Sequence, residues 1–212
     1  MQLRAVIGCG TEPDLVAAVQ RLRKAIFVER CGWDLEVRDG REVDQFDAPD
    51  AVHALVLADG RPVATFRATR TDRPYLAAEV FPSLAVVSRY PRRADTWEVS
   101  RFGIAAGGSS QIARLNYALM FWFAQRVGAR SLVAIADLTY ERFLRSIGIR
   151  TRRFGPPQAI GVDRHGRKLM AVAGEIPLAA QSPAHLSALL ALTHHLEITD
   201  ASDVCGSARV SA

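Results

Sequence analysis

The alternation of apolar and polar positions divides the chain into short strands and amphipathic helices. Residues 2–7 read as a strand. Thr11, Glu12, Pro13 and Asp14 then form a helix start, with a capping hydroxyl, an early proline and acids in the first turn. Leu15, Val19, Leu22 and Ile26 continue at helical spacing, so this helix is expected to reach about Arg30. Residues 31–49 break the pattern. They are polar and glycine-containing, with Trp33 and Phe46 set among carboxylates, and irregular segments of this length are more often functional than idle. Runs at 52–58 and 62–69 flank Asp59-Gly60 and read as a β-hairpin.

Residues 96–104 read as a further strand. Ser109 or Ser110 opens a helix reaching Val127 and closed by Gly128. Ile112, Leu115, Leu119 and Trp122 mark one face of it, and Met120, Phe123 and Val127 widen that face enough to predict burial. A short apolar strand at 131–136 precedes a helix capped by Asp137 or Thr139, carrying Tyr140, Phe143, Leu144 and Ile147 and ending at Gly148. Strands near 150–154 and 168–174 and a helix around 183–195 complete the order, and residues 199–212 are expected to form a flexible tail. The sum is an α/β protein, a three-layer α/β/α arrangement with a mixed central sheet, in one domain over 1–198.

A length of 212 residues agrees with a single domain, and 49% hydrophobic with 23% charged residues describes a chain that folds around its own core. The apolar run at 118–124 is far shorter than the roughly 18 residues of a membrane span, and the amino-terminal apolar stretch is too brief for a secretory signal. The expected location is the cytoplasm, away from membranes. The net charge is +5, and because Lys24 and Lys168 are the only lysines, arginine supplies almost all of the positive charge. A genome favouring arginine and alanine codons accounts for that, as does an acidic partner or a phosphate-bearing substrate. The arginines are spread along the chain rather than gathered on one helix or groove, which argues against a nucleic-acid-binding module. Cys9, Cys31 and Cys205 are scattered, without zinc-ligand spacing, and suit a reducing compartment.

Three groups carry candidate chemistry. Along the strand at 96–104, alternation places Glu98, Ser100 and Phe102 on one face and Trp97, Val99 and Arg101 on the other. A carboxylate beside a hydroxyl and under a ring suits proton handling; a half-exposed strand with a polar face explains the same pattern. Glu42, Asp44 and Asp47 lie within EVDQFD, where no His or Cys joins them and the calcium-loop pattern is missing. A surface acidic loop is the default reading, and an ion-pair cluster with Arg23, Arg67 or Arg101 is the alternative, since buried carboxylates need partners. Arg23, Phe27 and Trp33 form the third group. Phe27 fits a helix core, whereas Trp33 after Gly32 in a polar loop suits stacking on a ring or a cation. The five histidines, His53, His165, His185, His194 and His195, show neither triad nor metal spacing and read as structural. The Gly107-Gly108 turn before a helix offers amides to a phosphate but lacks the glycine pattern of acetyl-CoA-dependent N-acetyltransferases.

Taken in order, Arg23-x-x-x-Phe27, Gly32-Trp33, Glu42-x-Asp44-x-x-Asp47, Arg67, Phe81-Pro82-x-Leu84 and Glu98-x-Ser100-Arg101-Phe102 resemble the acyl-homoserine lactone synthases of bacterial quorum sensing, over roughly residues 20–155. The resemblance implies an N-acetyltransferase-like fold and coupling of S-adenosylmethionine to an acyl thioester on acyl carrier protein or coenzyme A. The products would be the lactone, 5′-methylthioadenosine and the free thiol carrier. Adenosylmethionine would be consumed as a substrate, with no separate cofactor and no metal. Glu98 matches the family's proposed base, with Ser100 and Arg101 beside it. Arg23, Phe27, Trp33, Asp44, Asp47 and Arg67 would serve the adenosylmethionine side. The acyl chain would lie among Phe102, Met120, Phe123, Ala134, Ala136 and Phe143. Where relatives preferring 3-oxo chains often carry a threonine, this chain has Ala134 and Ala136, which points to an unsubstituted chain. Arg70 stands where many relatives have proline. Arg150, Arg152 and Arg153 form a basic run suited to acyl carrier protein, to coenzyme A phosphates, or simply to solvent. An N-acyltransferase acting on another amine would explain the fold and Glu98, but not the ordered set around Arg23 and Trp33.

Overall fold

The computed structural model describes residues 2–202. In chain order the elements are β1 (Leu3–Cys9), α1 (Pro13–Arg23), a π-helical segment (Lys24–Arg30), β2 (Val37–Arg38), β3 (Arg41–Glu42), β4 (Val52–Ala58) and β5 (Arg61–Arg70). There follow α2 (Leu76–Val80), a 3-10 turn (Pro82–Leu84), β6 (Thr96–Ile104), α3 (Ser110–Arg126), β7 (Ser131–Ala136) and α4 (Leu138–Ser146). The last part comprises β8 (Arg152–Arg153), β9 (Gln158–Val162), β10 (Lys168–Pro177), α5 (Pro183–Leu190) and β11 (Glu197–Asp200). The large sheet runs β11-β1-β4-β5-β6-β7-β10-β8, with β9 added to β10. It is mixed, because β1–β11 and β6–β7 are parallel and the remaining pairs antiparallel. Helices cover both faces, α1 with the π-helical segment and α2 on one, α3, α4 and α5 on the other. The three-layer expectation holds.

Local chemistry explains most boundaries. Asp59 (φ 47°) and Gly60 (φ 78°) both take the left-handed conformation that a two-residue hairpin turn requires. Ser109 caps α3 by accepting from the Ile112 amide at 3.3 Å, and Asp137 caps α4 by accepting from Thr139 and Tyr140. At α1 the expected hydroxyl cap is absent. Glu12 holds the cap position, and its carboxylate turns back to accept from the Cys9 amide at 3.0 Å, so Pro13 alone sets the start. Two strands escape the periodicity: β9, exposed and glycine-containing, and β11, which pairs with β1 through Thr199 and Asp200. The sheet therefore includes residues expected in the tail; residues 203–212 lie outside the described part. Residues 31–49 are also less irregular than expected, since β2 and β3 form a small hairpin.

The feature that positions the site lies between β6 and β7. They pair only at Thr96–Ser131, Trp97–Leu132 and Glu98–Val133, although β6 continues to Ile104 and β7 to Ala136. Beyond Glu98 the two strands part, and the sheet opens into a fork.

Candidate active site

One side of the fork is built on charge. Arg23, at the end of α1, donates from Nε to Glu42 at 2.5 Å and from Nη1 and Nη2 to Asp47 at 2.6 and 3.1 Å. Arg67, on β5, donates to Asp44 at 2.5 and 3.1 Å, to Asp47 at 2.8 Å and to the Ser100 hydroxyl at 3.1 Å. Arg101 closes the set on Glu42 at 2.9 Å and Asp44 at 2.8 Å. Three guanidiniums thus balance three carboxylates, and Arg23, Arg67 and Glu42 have essentially no exposure. The ion-pair alternative for EVDQFD is the observed one, and the surface-loop default is corrected. Glu42, named with the EVDQFD carboxylates but not among the residues expected on the adenosylmethionine side, accepts from both Arg23 and Arg101 and is fully buried. Burial would raise the Asp47 carboxyl, but Arg23 and Arg67 outweigh it and hold the group well below the usual carboxylate range; Arg67 and Arg101 do the same for Asp44. Phe46 lies under the Arg67 guanidinium at 5.8 Å, which accounts for a ring among acids.

Strict alternation along β6 fails at one residue. Thr65 pairs with Gly103 and Arg67 with Ser100, so Arg101 and Phe102 together face the single residue Phe66. Arg101 has φ 52°, the left-handed conformation of a β-bulge. The extra residue reverses the expected faces. Arg101 joins Glu98 and Ser100 on the charged side, while Phe102 turns to the opposite side and packs against Tyr117 of α3 at 4.3 Å. The sharing of one face by Glu98 and Phe102 is therefore corrected.

Glu98 is 1% exposed and sits at the last β6–β7 pair, where the fork begins. Its carboxylate accepts from the Leu76 amide at 3.0 Å and the Ala77 amide at 2.7 Å, at the start of α2. Burial pushes the carboxyl up to about 7, against the Ala77 and Leu76 amides and the charges of Arg67 and Arg101. A carboxylate so poised exchanges protons near neutral pH. α2 was not legible, because five residues are too few for a periodic signal.

The aromatic groups take their places around this centre. The backbone widens into a π-helix from Lys24 to Arg30, with the Cys31 amide bonded to the Ile26 carbonyl, and swings Phe27 onto β6. Gly103 permits that approach: a Cβ there would lie 3.0 Å from both Ile26 and Phe27. Trp33, half-buried, stacks on Phe27 at 5.1 Å. Across the sheet, Phe102, Phe123 and Phe143 join Phe66 and Tyr117 in contiguous ring contacts. Met120 lies in the same cluster, and Ala134 and Ala136 are half-buried on β7 beyond the last pair. Of the predicted acyl set, Phe102, Met120, Phe123 and Phe143 share one cluster, while Ala134 and Ala136 are placed on the neighbouring β7; in the basic run, Arg152 pairs with Glu175 and Arg153 with Glu141, and both guanidiniums stay exposed. His53, one of the histidines whose spacing predicts a structural role, is 1% exposed beside the arginine network; neither ring nitrogen has a partner among the described residues, and burial first, then Arg23 and Arg67, push its pKa down to about 4. Among the described residues no helix is long and apolar enough to cross a membrane.

Comparison with known proteins identifies the family. A family model described as autoinducer synthase matches residues 11–177. An acyl-homoserine-lactone synthase of Ralstonia nicotianae is 37% identical over 165 residues, 73% of this chain and 81% of the relative. The solved structure of TofI, in a ternary complex with an inhibitor and MTA, is 35% identical with a TM-score of 0.74, covering 91% of this chain and all of that one. A putative N-acetyltransferase from Lactobacillus plantarum, 19% identical with a TM-score of 0.58 over 84% of this chain and 99% of its own, shares the fold alone. The chain belongs to the autoinducer synthase family and is an acyltransferase of the acyl-homoserine-lactone synthase type.

Proposed function

We propose that the protein transfers an unsubstituted acyl group from a thioester, on acyl carrier protein or coenzyme A, to the amine of S-adenosylmethionine, and closes the product to a lactone. The observation that carries this reading is the position of Glu98. A buried carboxylate poised near neutrality stands where the sheet forks, with the Phe27–Trp33 stack on one face of the sheet and the aromatic cluster around Phe102 on the other. Adenosylmethionine lies on the first side, its sulfonium against the aromatic faces, with the arginine–carboxylate network fixing the loop that carries Trp33. Glu98 takes a proton from the methionine ammonium, directly or through water. The amine nitrogen then bonds to the thioester carbon, the carbon–sulfur bond breaks, and a second nitrogen proton passes to the departing sulfur, releasing the thiol carrier and leaving an amide. In the closing step a carboxylate oxygen of the same substrate displaces the sulfonium: a carbon–oxygen bond forms, a carbon–sulfur bond breaks, and 5′-methylthioadenosine leaves. That step is intramolecular and depends on positioning. The 35%-identical TofI complex with MTA supports a nucleoside site of this kind. The alanines at 134 and 136 offer no side-chain donor to a 3-oxo group, which supports the unsubstituted chain.

The test is a mass-spectrometric assay of the purified protein with adenosylmethionine and butanoyl to dodecanoyl thioesters of both carriers, with and without a 3-oxo group. Methylthioadenosine and lactone should appear together, in equal amounts, fastest with an unsubstituted donor. Acyl transfer to another amine without methylthioadenosine would overturn the synthase reading, and faster turnover of 3-oxo donors would overturn the chain assignment.

A further inference from the structure

The β5–β6 ladder sets Thr69 directly opposite Glu98, so the two side chains leave the same face of the sheet as neighbours. Thr69 is only 6% exposed, and its Oγ1 is buried with no hydrogen-bond partner among the described residues. A hydroxyl buried in that state is destabilising, and a valine of the same shape would avoid the cost. Glu98 is only half satisfied as well. Each of its oxygens accepts one amide, from Leu76 and from Ala77, and each keeps a further lone pair. Two polar groups with unused capacity therefore meet at the point where the fork opens. A buried water needs two to four polar partners, and these two with a substrate ammonium supply three.

We propose that Thr69 is a positioning residue for proton removal: its hydroxyl and the Glu98 carboxylate hold between them the water through which the adenosylmethionine amine is deprotonated. The inference rests on the synthase reading above. The ammonium N–H bond breaks and its proton passes to the water, while the water gives one of its own protons to a Glu98 oxygen. The net change is one proton moved from nitrogen to carboxylate. Thr69 donates to the remaining lone pair of the water and keeps its proton throughout. The other groups bearing on Glu98 are Arg67 on β5, Arg101 on β6, Tyr75 ahead of α2 and Tyr90 in the following loop. A valine at 69 changes the charge of none of them.

The experiment uses the full chain, adenosylmethionine and whichever thioester of the panel the unaltered protein turns over fastest. Thr69→Val should lower kcat about tenfold while KM for both substrates stays within about twofold, and its melting temperature should be unchanged or higher. Thr69→Ser, which restores the hydroxyl, should recover most of the rate. A Thr69→Val enzyme with kcat within about twofold of the original, or serine and valine variants equally slow, overturns the inference. If valine does not fold, Thr69→Ala takes its place against the same serine control. Glu98→Gln separates the two levels. If it retains normal turnover, the base assignment itself fails; if it is slow while Thr69→Val is normal, only the role of Thr69 falls.

Discussion

Replacing Arg23 by methionine tests the charged network most directly. Methionine keeps the apolar stem and removes a guanidinium that is 1% exposed and bonded to Glu42 and twice to Asp47. Glu42, Asp44 and Asp47 would then face only Arg67 and Arg101, leaving one buried negative charge unbalanced. Removing one partner of a buried ion pair costs about 3–5 kcal/mol. In a domain of this size each kcal/mol moves the melting temperature by about 2–4 °C, so a fall of roughly 6–20 °C is expected. The pH dependence adds a signature. In the intact network Asp47 sits below its ordinary value of 3.8, so its stabilisation is fully present above that value and is lost only as pH falls through the lower folded pKa. In the variant the excess carboxylate is raised instead, and the folded state gains protons as pH falls. The deficit should therefore shrink between about pH 8 and about pH 5.5. Urea and thermal unfolding, followed by tryptophan fluorescence at both pH values, measure this. Arg23→Met combined with Glu42→Gln restores neutrality and should cost less than the sum of the two single changes. A loss below about 1 kcal/mol, or one independent of pH, would show that the network is not balanced as described.

Three further outcomes follow from the site. Glu98→Gln should cut turnover by about a hundredfold or more with little change in adenosylmethionine affinity; in the unaltered enzyme kcat/KM should rise with pH through about 7, as the base ionises, and a flat profile across that range would remove Glu98 from the step. Trp33→Ala should weaken adenosylmethionine binding, measured by calorimetry, about tenfold; unchanged affinity would sink the stacking role of the Phe27–Trp33 pair. Gly103→Ala places a methyl group 3.0 Å from Ile26 and Phe27 and should destabilise the fold by about 1–3 kcal/mol, with a melting curve at the original temperature as the contrary result.

The layers of the fold were legible because local chemistry and hydrophobic period agreed. Asp59-Gly60, Ser109 and Asp137 carry their own geometry, and α3 has enough turns to display a face. What was missed lacked a local signal. β11 is four residues whose place depends on pairing with β1, and α2 is five residues whose first amides are held by Glu98, far along the chain. The candidate site was legible as a set of residues more than as an arrangement. EVDQFD showed three carboxylates in need of partners, but their burial depends on arginines from α1, β5 and β6 arriving together. His53 and Thr69 carry no signal in one sequence, because an unpaired buried atom is a property of the packed state.

The bulge at Arg101 shows why the motif Glu98-x-Ser100-Arg101-Phe102 needs more than alternation. A regular strand would send Arg101 away from Glu42 and Asp44, leaving those carboxylates one guanidinium short, and would send Phe102 into the charged side. One residue in the left-handed conformation reverses both. The same strand then presents a carboxylate, a hydroxyl and a guanidinium on the face that carries α1 and α2, and a ring toward α3. On the proposed reading, β6 is the element on which a charged substrate and an apolar chain would meet from opposite faces. The fork lies beside it: β7 leaves β6 at Glu98, and the bulge follows at Arg101.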